Sequence, residues 1–339
     1  MDFDALLKQL QDWTNKVPLI ILGSGASVPF GLPSMWKLGE HLKSTLSFDN
    51  DIDNGQLELF KQSLEEHQDL EKALLGIQLN ENVLRAVIKA TWELISEADI
   101  KAYEQFVLSG KEVPLVNLMK YLLSTTDRKL SIVTTNYDRI AEYSASTTEA
   151  FICTGYAQNY IGHFSDKIHT NALANIKGSS GQVNIWKVHG SLDWFETPNR
   201  ENIHLPLRQN IPQDYKPLIV TPGLSKYAET HNEPYRTIFA QADTEIQNAN
   251  GYLCIGYGFN DVHVQPKLIQ QIKTKPIIVI TKELTPKTKE AIIDGGCKNY
   301  ILIEESNNKD TKIYSSSQGE HIIENVSYWN LAEYLKRIQ

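Results

Sequence analysis

Residues 18–22, Pro-Leu-Ile-Ile-Leu, form an apolar run without polar alternation that stops at Gly23-Ser24-Gly25. A strand apolar on both faces belongs inside a parallel sheet, where helices on either side keep water off it. Parallel neighbours cannot be joined by a hairpin and need a crossover, usually a helix. The rest of the chain supplies that alternation. Ser131 to Thr135, Val183 to Val188, Leu218 to Thr221, Tyr252 to Ile255, Ile277 to Ile280 and Tyr300 to Ile303 read as further strands. Helical spacing covers Phe3 to Trp13, a segment starting at Glu233-Pro234 with Pro in the first turn, Val262 to Lys273, Pro286 to Asp294 and Tyr328 to Ile338. The pattern predicts an α/β fold, a doubly wound Rossmann-like parallel sheet.

Two stretches exceed what the alternation needs. Between residues 34 and 128 the apolar positions keep helical spacing, as in Val83, Leu84, Val87, Ile88, Trp92 and Ile95. That is far more helix than one crossover requires, so a crossover helix plus a helical insertion lobe is expected. Residues 155–216 are polar and aromatic-dotted, with Pro198, Pro206 and Pro212, and predict a loop-rich lobe near the site. Both are expected within a single domain spanning residues 1–339.

The chain carries 33 Lys and Arg against 41 Asp and Glu, for a formal charge of −8. This balance, without any run of basic residues, argues against nucleic acid as a direct partner. The longest apolar stretches are strand-length, and the acidic Met1-Asp2-Phe3-Asp4 start lacks a signal-peptide pattern, so a cytoplasmic chain without a membrane partner is expected. Cys153, Cys254 and Cys297 form no CxxC pair and read as buried free thiols, leaving no tetrahedral zinc pattern.

In a doubly wound sheet, ligands sit beyond the carboxyl ends of the strands. Four segments there carry unusual residues: Gly23-Ser24-Gly25-Ala26-Ser27, Thr135-Asn136-Tyr137-Asp138, His189-Gly190-Ser191 and Gly256-Tyr257-Gly258. Gly-x-Gly after the first strand lets a pyrophosphate approach the backbone, but any tight turn has the same need. Asn136 and Asp138 also suit a helix N-cap and an acidic first turn, and His189 also suits a hydrogen-bonded strand end. What favours a site is that an imidazole, an amide and a carboxylate would face one glycine-lined crevice.

Taken together, these motifs resemble the sirtuins. Gly23 to Ser27 with Gly31-Leu32-Pro33 resembles the glycine-rich loop, serine and Gly-Ile-Pro of that family. Thr134-Thr135-Asn136-Tyr137-Asp138 resembles its Thr-Gln-Asn-x-Asp element, and Val188-His189-Gly190 its catalytic His-Gly. Gly256 and Gly258 fall at its second phosphate-side turn, and Ile280-Thr281-Lys282-Glu283 resembles the Ile-Asn-x-Glu stretch that meets the adenosine ribose. The paired cysteines of the deacylase zinc ribbon are missing, and Met35-Trp36 replaces the Phe-Arg that follows Gly-Ile-Pro. Zinc-free chains of this kind resemble the NAD-degrading effectors of bacterial antiphage defence.

The resemblance implies NAD as substrate, with no metal, and hydrolysis to nicotinamide and ADP-ribose. His189, Asn136 and Asp138 would be catalytic. Gly23, Ser24, Gly25, Ala26, Ser27, Pro33, Thr135, Gly256, Gly258, Thr281 and Glu283 would bind the dinucleotide. A protein deacylase or ADP-ribosyltransferase, and an idle NAD or ADP-ribose sensor, remain alternatives. With the fold expected to fill the chain, control would come from a homo-oligomer, from a small ligand, or from a companion defence protein such as an ATPase or nucleotide-sensing subunit.

Overall fold

The computed structural model describes residues 2–67, 70–75, 77, 79–157, 159–167, 177–221, 232–261, 264–307 and 309–339. Its strands are β1 (Leu19–Leu22), β2 (Lys129–Thr134), β3 (Phe151–Cys153), β4 (Gly162–His163), β5 (Gln182–Lys187), β6 (Gly190–Glu196), β7 (Asn202–His204), β8 (Lys216–Ile219), β9 (Tyr252–Ile255), β10 (Ile277–Ile280), β11 (Tyr300–Ser306), β12 (Asp310–Ser315) and β13 (Gly319–Ile323). The helices are α1 (Phe3–Asn15), α2 (Met35–Thr45), α3 (Asp51–His67), α4 (Leu70–Leu75), α5 (Glu81–Ala102), α6 (Pro114–Leu123), α7 (Ile140–Thr147), α8 (Tyr235–Asn248), α9 (Gln265–Ile272), α10 (Pro286–Lys289) and α11 (Leu331–Ile338).

A 9-stranded sheet runs in the order β13-β12-β11-β10-β9-β1-β2-β5-β3. From β11 to β3 all pairings are parallel, with Ile20 opposite Ile132 on one side and Leu253 on the other, and β12 and β13 add antiparallel strands at one edge. The period-two geometry of a strand sends alternate side chains to opposite faces, and both faces here are covered. Ile20 and Leu22 join Leu38, Leu118 and Leu122 in one core layer, while Leu19 and Ile21 join Ile238, Ala242 and Leu268 in the other. The α/β doubly wound class therefore holds.

The described part of residues 34–128 contains α2 to α6, and their apolar faces merge into the same layer as β1 and β2. Asp99 of α5 carries much of that attachment. Its carboxylate accepts from the Arg139 backbone at 2.7 Å, from the Arg139 guanidinium at 2.6 and 3.0 Å, and from the Tyr143 hydroxyl at 2.6 Å. Trp92, two turns earlier, donates its indole N–H to the Leu192 carbonyl at 2.9 Å.

The structure departs from the sequence reading in several places. Leu218 and Ile219 belong to β8, which pairs antiparallel with β6 in a 4-stranded sheet, β4-β7-β6-β8, separate from the main one. Residues 155–216 thus contribute strands as well as loops, with residues 158 and 168–176 outside the described residues. Pro234 lies just before α8 rather than inside its first turn, and the expected start of the next helix at Val262 also falls outside the described residues.

Candidate active site

The strand order reverses at β1, which has β2 on one side and β9 on the other. The turns leaving β1 and β9 meet there without space for side chains. A Cβ on Gly23 would come within 2.4 Å of the Gly256 carbonyl oxygen, and one on Gly256, whose φ is +57°, within 2.2 Å of the Ala26 nitrogen. These glycines are first of all required by one backbone crossing another. The same packing engages most of the expected amide row. Gly23 N donates to Ile255 O, Gly25 N to Gly256 O, Ala26 N to Gly23 O and Ser27 N to Ser24 O, all at 3.0–3.1 Å. Of the amides from Gly23 to Ser27, that of Ser24 alone has no acceptor among the described residues.

The turn after β2 is built onto this pair. Thr134 Oγ1 donates to the Leu22 carbonyl at 3.0 Å and accepts from Asn136 N at 3.1 Å. Asn136 Nδ2 donates to the Gly23 carbonyl at 2.9 Å and to Ser27 Oγ at 3.1 Å, so its Oδ1 is left without a donor among the described residues. Asp138 is buried and its Oδ1 accepts from Ile140 N at 3.2 Å. Burial pushes the Asp138 carboxyl above the ordinary aspartate range, and the nearby Lys187 charge pulls against it.

Lys187 ends β5 fully buried. Its ammonium sits 2.9 Å from Glu142 and donates to the carbonyls of Tyr137 and Asp138, pinning the turn from below. The sequence reading passed over it, although a lysine inside Val183 to Val188 was itself a signal. Next along the chain, His189 sits where the two sheets join. Val188 N donates to Thr134 O of the parallel sheet at 3.1 Å, and His189 O accepts from Val220 N beside the second sheet at 2.8 Å. Gly190, at φ +85°, makes the bend, and a Cβ there would lie 1.9 Å from the Leu218 carbonyl oxygen. His189 Nε2 faces Asp261 Oδ2 at 2.9 Å, another contact the motifs did not announce.

These segments enclose a cavity of about 260 Å³. Gly23, Ser24, Ser27, Pro33, Thr135, Asn136, Asp138, His189, Gly256 and Gly258 all line it. Gly25 and Ala26 lie behind the lining, and Thr281 and Glu283 lie outside it at the exit of β10, where Thr281 Oγ1 donates to the Glu283 carbonyl at 3.2 Å. One wall is polar, carrying Asn136, Asp138, His189 and Asp261. Another part of the lining, from the segment before α2 and from α2, α4 and α5, is apolar, with Leu32, Met35, Trp36, Leu70 and Ile95. Such a bipartite cavity suits a ligand with a flat, weakly polar ring at one end and hydroxyls at the other. Among the described residues no group of His, Cys, Asp and Glu side chains is placed to hold a metal, and all three cysteines are buried and form no disulfide. No helix is long and apolar enough to cross a membrane among the described residues.

Residues 130–277 match the SIR2-like domain family. No curated protein matches the chain in sequence. Among solved structures, the chain is similar to a Sir2 enzyme at 11% identity, covering 98% of this chain and 97% of that one with a TM-score of 0.45. It is also similar to a mutant Sir2 homologue bound to ADP-ribose, at 14% identity, 85% and 88% coverage and a TM-score of 0.44. A Sir2 homologue bound to NAD is similar at 14% identity, 89% and 88% coverage and a TM-score of 0.41.

Proposed function

We propose that the chain is an NAD glycohydrolase that cleaves NAD to nicotinamide and ADP-ribose. The observation that carries this reading is the convergence of Asn136, Asp138 and His189, from the exits of β2 and β5, on one cavity beside the interlocked turns of β1 and β9. The match of residues 130–277 to the SIR2-like domain family supports it.

Nicotinamide bonded to a ribose is a cation and a good leaving group, so the protein's task is to orient the glycosidic bond and stabilise an oxocarbenium-like transition state. Asp138, with its carboxyl pushed up by burial, suits a grip on the carboxamide. Asn136, with Nδ2 committed to Gly23 and Ser27, holds Oδ1 in a fixed direction for a ribose hydroxyl or the attacking water. His189 acts as the base, directly on water or through the ribose hydroxyls. Ser24 and Ser27 provide the polar contacts of the first turn, and Thr281 and Glu283 meet the adenosine end beyond the cavity.

In this reading the enzyme depletes NAD in antiphage defence and is held in check by self-assembly, a companion subunit or a ligand, because unrestrained hydrolysis would drain its own cell. The test is to incubate the purified chain with NAD, alone and with the proteins encoded beside it, and to separate the products. Nicotinamide and ADP-ribose in equal amounts, formed faster with the partner, are expected. No cleavage under either condition would overturn the assignment, and full turnover by a dilute monomer would overturn the control.

A further inference from the structure

Lys187 occupies a position where the sheet calls for an apolar residue. It ends β5 on the same face as Val183 and Ile185, which pack into the layer of Leu118 and Leu122. The side chain is fully buried, yet its donors are all used. An ammonium has three N–H groups, and three acceptors meet this one: Glu142 Oε1 at 2.9 Å, the Tyr137 carbonyl at 3.2 Å and the Asp138 carbonyl. A buried ion pair is weak grounds for stability, because apolar residues of similar volume often serve as well.

The surroundings of the ammonium point to the cavity instead. Two of its three acceptors belong to the turn that brings Asp138 to the lining. Burial raises the Asp138 carboxyl and Asp99 of α5 adds to the rise, while the Lys187 charge is the strongest influence against it, ahead of the Ser27 hydroxyl and Ile140 N. Glu142, the ion-pair partner, does not cancel that charge near neutral pH. Burial pushes its own carboxyl up to about 7 and leaves it only partly ionised. A net positive charge thus remains beneath Asp138.

We propose that Lys187 is a positioning residue for Asp138: a positive charge fixed under the turn, it makes the cavity select a carboxamide over a carboxylate on the pyridine ring of its ligand. The proposal rests on the reading of Asp138 as the grip on the carboxamide of NAD. With the ammonium beneath it, Asp138 is an acceptor-only carboxylate, which takes an N–H from the carboxamide. A ligand whose ring carries a carboxylate has no N–H to offer there and presents a like charge. NAD is accepted, and nicotinic acid adenine dinucleotide, which differs from it only at that group, is refused.

The test is calorimetric binding of these two dinucleotides to the purified full chain near neutral pH. All variants are built on His189→Ala, so that NAD persists long enough for binding to be read. His189→Ala itself should bind NAD roughly a hundredfold more tightly than the carboxylate analogue. Adding Lys187→Met should cut this preference to about tenfold or less, because Asp138 then takes up a proton more readily and can donate to the analogue. Adding Glu142→Gln alone leaves the ammonium in place and should keep the full preference. Lys187→Met with Glu142→Gln strands neither charge, so it should fold even where Lys187→Met does not, and it should show the same loss of preference. A lysine with a merely structural role would weaken both dinucleotides alike and leave their ratio unchanged, which would overturn the proposal. So would equal binding of the two dinucleotides to His189→Ala, or an equal loss of preference in Glu142→Gln. Failure of NAD to bind at all would overturn both the proposal and the function it rests on. If binding follows the expected pattern but the wild type never cleaves NAD, the role of Lys187 stands and the hydrolase reading falls.

Discussion

Two groups of buried and half-buried polar side chains lie around the turn that leaves β2, and they spend their hydrogen-bonding capacity differently. Behind the turn, the Asp99 carboxylate accepts four hydrogen bonds, from the Arg139 backbone, the Arg139 guanidinium and the Tyr143 hydroxyl. In front of it, Asn136 commits its Nδ2 and leaves Oδ1 without a donor, while Asp138 holds a carboxyl pushed above its ordinary range. A saturated cluster is an anchor, because whatever it meets next has nothing to offer it. Groups with capacity left over inside a cavity are where a ligand gains affinity and reactivity.

The anchor should be the more costly of the two groups to lose. Asp99→Ala strands a buried guanidinium, and a loss of about 3–5 kcal/mol is expected in denaturant unfolding. A loss below about 1 kcal/mol would mean that α5 is held elsewhere. His189→Ala and Asn136→Ala, by contrast, should leave unfolding nearly unchanged while lowering NAD turnover roughly a hundredfold or more. If either melts early and turns over normally, the assignment of the two groups is inverted.

Glu142 lies between the two groups, paired with Lys187, and burial pushes its carboxyl from 4.5 up to about 7. Through that window the unfolded chain releases its proton before the folded chain does. Stability therefore falls as pH rises from 4.5 to 7 and levels off above, by about 3 kcal/mol. Glu142→Gln should remove this slope from the difference between the two unfolding curves, whatever it does to overall stability, and an unchanged slope would place the titration elsewhere. The smallest expected effect is that of a chelator. Neither group needs a metal, so melting and turnover should not move, and one zinc held per chain would contradict that.

How much of this was legible depended on which physical signal each residue leaves. β1, β9 and β10 are apolar on both faces and bounded by turns, which few other structures tolerate. The hairpin of β12 and β13 escaped notice because its inward positions include Thr311 and Ser315, which break the apolar alternation. β6 was hidden behind Gly190, read as the end of a strand when it bends the chain into another. Asn136, Asp138 and His189 were findable as candidates because they directly follow strands. Asp261 does not, and in sequence it is an ordinary cap. Only the backbone path through Phe259 brings it to His189.

The attachment of α5 also has a mechanical consequence. Ile95, which lines the cavity, lies between the fixed points at Trp92 and Asp99 on the same helix. Swinging that wall outward means breaking a buried indole hydrogen bond and a buried ion pair together. Among the described residues the side chains of Met35 and Trp36 make no hydrogen bond or ion pair, and they are 38% and 45% exposed. The cavity thus has one stiff jaw and one compliant jaw, and the clearance for a ligand is set by how far the Met35 and Trp36 side chains yield.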